Sequence, residues 1–297
     1  MEIDQKYITP YTDFGFKYIF GDEMNKQYLL SFLNALFEGT HNIEDITYKN
    51  TEKQSSSYPS RKAIFDVYCV TDTGERFIVE MQNFFQPFFK DRMIYYSTFP
   101  IREQAKKGTD WNYKLNHVYT IGILNFVFNH EDEQVKHTAQ LRDATTYEVF
   151  YDKLTFITIE LPKFKKTENE LVTMYDKWLF VLNNMSKLLS KPAALQERIF
   201  TTLFRHAEIE RLKEDNLLAF EADISAFRDI NNITEDAELK GRLEGILEGK
   251  IKGRAEGRAE GEKRKSLEIA KNLKAMNLDI SAIMQATGLS KEEIEKI

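Results

Sequence analysis

Cysteine is nearly absent from the chain, which has one, Cys69, among its 297 residues. A single thiol excludes intramolecular disulfides and any zinc site that needs several thiolate ligands. Histidine is scarce as well, and none of the five histidines lies three or four residues from another. The sequence therefore gives no sign of a histidine metal site, and we interpret the histidines as surface or core residues.

An excess of positive charge is also missing, because the formal net charge is −6 at pH 7. The chain as a whole does not attract nucleic acid, so any contact with DNA needs a local basic patch. No apolar run approaches the roughly 18 residues of a membrane span. The first residues, MEIDQKYITPYTD, are acidic and polar, unlike a secretion signal. We expect a cytoplasmic protein without a membrane-spanning segment.

Hydrophobic residues, by contrast, are plentiful at 42%, and aromatic residues make up 13% of the chain. This is enough to build a sizeable core. Helical patterns come first, then extended segments joined by a helical connection, then further helices, an order that predicts an α/β or α+β domain. We predict a folded domain over residues 1–236, a charged helical linker over 237–265 and a small helical module over 266–297.

Residues 62–83 form the segment around which the rest is organised. Two runs rich in β-branched and aromatic residues, KAIFDVYCV and RFIVEMQ, flank a glycine-containing turn and predict a hairpin. With a three-residue turn, Asp66 faces Glu80 directly, whereas a four-residue turn makes them diagonal neighbours. Gln82 shares the face of Glu80, one strand repeat away.

Opposed carboxylates in an apolar setting repel each other, so they must share a proton, shift a pKa or share a cation. A divalent metal resolves the conflict most simply, since Mg²⁺ is commonly held by one or two carboxylates together with waters and phosphates. The spacing alone is a weak pattern, and an ordinary hairpin with exposed acids remains an alternative.

Glycine recurs every fourth residue from Gly241 to Gly261, in a stretch of alternating charges that favours a helix. Each helical glycine costs about 1 kcal/mol relative to alanine. The stretch is either a semi-flexible spacer or a seam between two copies of the chain.

The last residues predict two short helices around Thr287–Ser290, with a capping box of Ser290 and Glu293. Their layout is similar to a helix-turn-helix, but the acidic final helix favours docking to protein over reading DNA.

Several motifs occur in an order that carries a family resemblance. They are TDFGFKYIFG (12–21), Asp66, VEMQ (79–82), Arg92 with Tyr95, QAKKG (104–108) before LNHVYTIGIL (115–124), and the glycine-rich charged tail. In this order they resemble the recombination-promoting nuclease and transposase (Rpn) family of the PD-(D/E)XK nuclease superfamily. The resemblance implies an α/β, restriction-endonuclease-like core, a mixed central sheet flanked by helices, with a helical C-terminal extension.

The same resemblance implies a DNA endonuclease that depends on Mg²⁺, with Mn²⁺ as a substitute. Asp66 and Glu80 would be its metal ligands and Gln82 its third catalytic residue, at the position where the superfamily most often has lysine. Asp13 is a candidate third acid. The candidates for contact with DNA phosphates are Arg92, Lys90 and Lys17, and Arg92 and Lys17 are also candidates to replace the lysine charge.

Two other functions remain open. One is a catalytically degenerate protein that uses the nuclease fold, the glycine-periodic helix and the tail for binding partners, including its own copies. The other is a transposase with strand-transfer activity, but the sequence shows neither an integrase-type acidic triad nor a strongly basic DNA-binding domain.

Overall fold

A mixed sheet of six strands forms the centre of the first part of the chain, with strand order β1-β4-β5-β6-β8-β7. The computed structural model describes residues 5–53, 63–105 and 112–297. Strands β5, β6 and β8 are parallel, while the other neighbours pair antiparallel. The strands are β1 (Ile46–Tyr48), β2 (Glu52–Lys53), β3 (Ala63–Ile64), β4 (Val67–Thr71), β5 (Arg76–Gln82), β6 (Val118–Leu124), β7 (Lys136–Arg142) and β8 (Val149–Glu160).

Helices cover both faces of this sheet. The α-helices are α1 (Asp13–Phe20), α2 (Lys26–Leu36), α3 (Phe89–Glu103), α4 (Met174–Asn184), α5 (Arg198–His206), α6 (Glu214–Ala275), α7 (Ile280–Thr287) and α8 (Lys291–Glu295). Residues of α1, α2, α4 and α5 pack against one face in the main hydrophobic core. Helix α3 covers the other face, where smaller clusters form around Tyr68 and Phe89. This arrangement confirms the α/β class and the helix-flanked mixed sheet.

The hairpin of β4 and β5 has the register of the three-residue turn, one of the two alternatives that the sequence left open, because Val67 pairs with Val79. Its turn is of the three-residue kind. Gly74 lies there with φ +90°, a value that favours glycine, and its amide donates to the carbonyl of Thr71 at 3.0 Å. Continuing the register by one residue brings Asp66 opposite Glu80.

The first strand of the hairpin is interrupted, which the sequence pattern did not predict. Residues 65 and 66 leave the strand, and Asp66 lies in a bend. Phe65 consequently packs with Tyr68, in the cluster under α3, and not with Val67 on the main-core side. Strict alternation along KAIFDVYCV predicts that Phe65 shares a face with Val67 and Cys69, and this prediction is wrong at Phe65, because alternation holds only while the backbone stays pleated.

Residues 115–128 form a near-continuous apolar run, which predicts a strand covered on both faces. Strand β6 is buried along its whole length, as predicted, but it is shorter than this run. Gly122 pairs with Glu80 on the neighbouring strand β5. A Cβ at Gly122 would lie 2.7 Å from the ring of Phe89, so glycine allows the first turn of α3 to approach the sheet beside Glu80.

The chain divides into two compact units, residues 1–227 and 228–297, and α6 begins in the first. The boundaries predicted at residues 236 and 265 stay predictions. In the second unit α7 and α8 form a small core with the end of α6, around Ala270, Ile283, Leu289 and Ile294.

The tail helices have the predicted boundary signals. The capping box is present, with the amide of Ser290 donating to Glu293 Oε2 at 3.0 Å and the amide of Glu293 donating to Ser290 Oγ at 3.3 Å. The helical spacing of apolar residues in the tail predicts that Met276 and Met284 join its core, but both are exposed, so this prediction is wrong. They follow the helical periodicity, yet the two short helices leave no partner element to cover them.

Helix α6 passes through the glycine repeat without interruption. A Cβ at each of the six glycines from Gly241 to Gly261 would meet nothing within 4 Å. The row of glycines is therefore not packed against any residue that the structure describes. None of the described helices is long and apolar enough to cross a membrane.

Candidate active site

Asp66 and Glu80 meet where the ladder between β4 and β5 ends. The backbone amide of Asp66 donates to Glu80 Oε1 at 3.1 Å, and the amide of Met81 donates to Asp66 Oδ2 at 2.9 Å. Each carboxylate thus takes the place of a backbone acceptor on the opposite strand. The interruption at Asp66 frees these amides, and the two acids are brought together as the register predicted.

Burial makes this pair electrostatically unfavourable. Glu80 is only 4% exposed, and burial together with the charge of Asp66 raises its pKa to about 8. Burial also raises the pKa of Asp66 above its ordinary value, against the opposing effects of the Met81 amide and of Lys17. Two neighbouring acids whose pKa values are raised in this way are a common feature of catalytic and metal-binding sites.

Lys17, on α1, lies beside Asp66. Its Nζ lies 3.8 Å from Asp66 Oδ1 and 2.6 Å from Asp13 Oδ1. Burial lowers the pKa of Lys17, but the hydrogen bond to Asp13 and the charges of Asp13, Asp66 and Glu80 outweigh it, so the pKa lies above its ordinary value. Thr12 fixes the start of α1 by accepting a hydrogen bond from the amide of Gly15.

Asp13 is more remote from the acid pair. Its side chain is 65% exposed and is held by Lys17, one helical turn away. It acts on Asp66 only through its charge, which raises the pKa of Asp66. A metal ion at Asp13 would compete with Lys17 for this carboxylate.

Arg92, on α3, approaches the acids from the other face of the sheet. Its charge lowers the pKa of both Asp66 and Glu80. The guanidinium lies between two rings, 5.3 Å from the centroid of Phe89 and 5.8 Å from that of Tyr96. Its Nη1 donates to Gln86 Oε1 at 2.7 Å, whereas the buried Nη2 has no hydrogen-bond partner in the described part of the chain. The site thus contains one buried guanidinium donor that no described residue satisfies.

The donor set at this place fits a hard divalent cation. Two carboxylates with raised pKa values offer oxygen ligands, and Mg²⁺ needs only one or two of them when waters and phosphates complete its shell. Gln82 is half-buried at the end of β5 and adds a neutral amide. No group of three or more His, Cys, Asp or Glu residues that could hold a metal occurs in residues 5–53, 63–105 and 112–297. A metal ion bound at this site would therefore depend on Asp66 and Glu80 as its acidic ligands.

Lys90 points to a different place. Its Nζ lies over the ring of Phe128, 5.2 Å from the centroid, and it lines a cavity of about 530 Å³ together with His137 and Glu160. The structure does not bring Lys90 into contact with Asp66 or Glu80. A contact of Lys90 with DNA stays a prediction.

Two supporting residues were not predicted from the sequence. Gln86 orients Arg92, and Gly122 makes room for Phe89, so both determine how α3 sits beside the acids. A single glutamine in a loop gives no indication in the sequence that it supports a site. A glycine within an apolar strand does indicate a close approach, although the sequence does not say of what.

The comparison with known protein families gives a match over the part of the chain that contains this site. The family described as PD-(D/E)XK nuclease family transposase matches residues 10–237, most of the chain. The chain belongs to the PD-(D/E)XK nuclease family transposases. The matched residues of this family member include Asp66 and Glu80, helices α1 and α3 beside them, and all six strands of the sheet. The match confirms the resemblance drawn from the motifs. Searches of curated proteins and of solved structures each found no significant match.

Proposed function

We propose that this family member is a Mg²⁺-dependent DNA endonuclease that hydrolyses phosphodiester bonds. The observation that carries the proposal is the buried contact between Asp66 and Glu80, whose pKa values are raised by burial and, for Glu80, also by the charge of Asp66. Mn²⁺ is the expected substitute. The substrate class follows from the family, and the cytoplasm is the expected compartment.

Asp66 and Glu80 would hold the cation, and the proton on Glu80 would leave when the cation binds. A bound divalent ion supplies Lewis-acid stabilisation of the phosphate and lowers the pKa of a bound water. The Met81 amide keeps Asp66 turned toward Glu80, and the Asp66 amide does the same for Glu80. The two ligands are therefore positioned by the backbone before a metal arrives.

Gln82 would position the attacking water through its amide, without supplying a charge. The cations that offset negative charge on the phosphate would be Lys17 and Arg92, from opposite faces of the sheet. Both already act electrostatically on the acid pair, and the unpartnered Nη2 of Arg92 is suited to a phosphate oxygen.

Incubation with supercoiled plasmid tests the proposal. We expect nicking with Mg²⁺ or Mn²⁺, none with a chelator, and none by Asp66→Asn or Glu80→Gln. Asp72→Asn is the matched control, because Asp72 is an exposed acid in the turn of the same hairpin. Cleavage by Asp66→Asn at the rate of the unaltered chain would refute the assignment.

Self-association is a second candidate function, favoured by a specific feature of α6. Leu239, Leu243, Leu247 and Ile251 follow one another at intervals of four residues and are 57–61% exposed. A continuous apolar row of this kind indicates a partner helix. The glycines lie two residues from these positions, which is about 200° around the helix. We propose that the apolar row, on the face opposite the glycine stripe, is the seam of a homo-oligomer.

A further inference from the structure

Exposed aromatic rings lie just before α3 and along it, on either side of Arg92 in the sequence. Phe88, just before the helix, is 76% exposed, and Tyr95, two turns later, is 43% exposed. Residues seven apart lie on the same face of a helix, about 10 Å from each other along its axis. Phe88 takes no part in the hydrophobic clusters that anchor α3 to the sheet, and Tyr95 packs edge-on against Phe99 of one cluster while its side chain stays exposed.

A cavity of about 420 Å³ lies along this face. It is lined by Gln86, Pro87, Phe88, Asp91, Arg92, Tyr95 and Tyr96. Aromatic planes and a guanidinium are the groups on which nucleobases stack, while carboxylate and amide oxygens accept hydrogen bonds from base N–H groups. The composition of the cavity thus suits a base better than a row of phosphates, since Asp91 would repel phosphate.

Arg92 joins this cavity to the acid pair. It lines the cavity, and its charge acts on both Asp66 and Glu80. Tyr96 also lines the cavity, and the charges of Glu80 and Asp66 contribute to raising the pKa of its hydroxyl, after burial. A nucleotide whose base occupies the cavity would therefore have a phosphate next to Asp66 and Glu80.

We propose that this cavity binds an unstacked nucleobase, and that the favoured substrate is single-stranded DNA or the unpaired strand of a flap or bubble. In an intact duplex both faces of a base are covered by its neighbours, so Phe88 and Tyr95 would have nothing to stack on. The net charge of −6 adds to this preference, because the chain lacks the basic field that would hold duplex DNA without base contacts. The inference names the substrate of the proposed nuclease site and rests on that function for its biological meaning.

Binding without metal tests the cavity independently of cleavage. The probe is a single-stranded oligonucleotide carrying 2-aminopurine, whose fluorescence is quenched when the base stacks, titrated with the chain in EDTA. We expect quenching, and binding about tenfold tighter than to the matched duplex. Phe88→Leu keeps an apolar side chain but removes the ring, and should weaken binding of the single strand by about tenfold, while Phe88→Tyr should restore it.

Phe150→Leu is the control, because Phe150 is 77% exposed on β8 and remote in sequence from α3. Equal binding of single strand and duplex, or equal weakening by Phe88→Leu and Phe150→Leu, would overturn the inference. Quenching in EDTA, with no cleavage of plasmid or of the single-stranded oligonucleotide in Mg²⁺, would refute the nuclease proposal but support the base cavity. Cleavage in Mg²⁺ without quenching in EDTA would support the nuclease proposal but refute the base cavity.

Discussion

Glu80 accepts a hydrogen bond from the backbone amide of Asp66, and Asp66 accepts one from Met81, the residue after Glu80. The two acids thus close the end of the β4–β5 ladder with their side chains. The same contacts that would hold them ready for a cation also satisfy buried backbone donors. Substitutions at the pair must therefore be chosen to separate structural from chemical effects.

Asp66→Asn and Asp66→Ala should differ in stability. Asparagine retains an oxygen that can accept from the Met81 amide, whereas alanine leaves this amide without its partner, at a cost of about 1–3 kcal/mol. We expect the alanine variant to unfold at lower urea concentration, and the asparagine variant to be at least as stable as the unaltered chain. Asp72→Ala serves as the control. Equal midpoints for the two Asp66 variants would show that the Met81 amide does not depend on this side chain.

Stability should fall as the pH rises, and Glu80→Gln should reduce that fall. The pKa of Glu80 in the folded chain, about 8, lies above the ordinary 4.5, so the folded state binds this proton more tightly than the unfolded state. The stabilising contribution is complete below about pH 4.5 and is lost as the pH rises through 8. Each unit of pKa difference corresponds to about 1.4 kcal/mol.

The measurement compares urea midpoints at about pH 5.5 and pH 8 in the absence of divalent metal. Glutamine is neutral at both values, so the difference between the midpoints should shrink in Glu80→Gln. A smaller slope should persist, because burial raises the pKa of Asp66 as well. An unchanged slope in this variant would show that Glu80 is already ionised in the folded chain.

Gln82→Lys should increase the nicking rate and lower the pH at which nicking begins. Residue 82 shares a face with Glu80 on β5, so a lysine there would bring a positive charge beside the carboxylate and favour its ionised form. Rates measured from about pH 5.5 to 8 at limiting Mg²⁺ check this. Gln134→Lys, at an exposed glutamine in the loop before β7, controls for an added charge outside the site. A slower rate for Gln82→Lys would indicate that the amide itself is needed.

Gly249→Ala should stabilise α6 and leave self-association unchanged. The new Cβ would meet nothing within 4 Å, and alanine favours the helix by about 1 kcal/mol. Leu247→Lys, on the opposite face, should instead dissociate any oligomer into single chains. Light scattering after size-exclusion chromatography measures both effects. An oligomer that is lost in Gly249→Ala and kept in Leu247→Lys would identify the glycine stripe as the seam.

The sequence predicted that Asp66 and Glu80 lie close together, as one of two registers, because the turn of the hairpin determines which residues pair. Gly74 fixes a three-residue turn, and the turn fixes the register that brings Asp66 opposite Glu80. The bend at Asp66 was not predictable from alternation, because it depends on side chains taking over the hydrogen bonds of the ladder. The position of Arg92 likewise depends on Gly122 and Phe89, which meet only through the packing of α3 on β6.

Calorimetric titration with Mg²⁺ or Mn²⁺ tests the central claim most directly, when it is performed near pH 7 in two buffers of different ionisation enthalpy. If Asp66 and Glu80 together hold the cation, the unaltered chain and Asp72→Asn should bind it with release of up to about one proton, most of it from Glu80. Asp66→Asn and Glu80→Gln should bind it much more weakly, and Glu80→Gln should release less. Binding of equal strength and equal proton release in all four proteins would contradict the account.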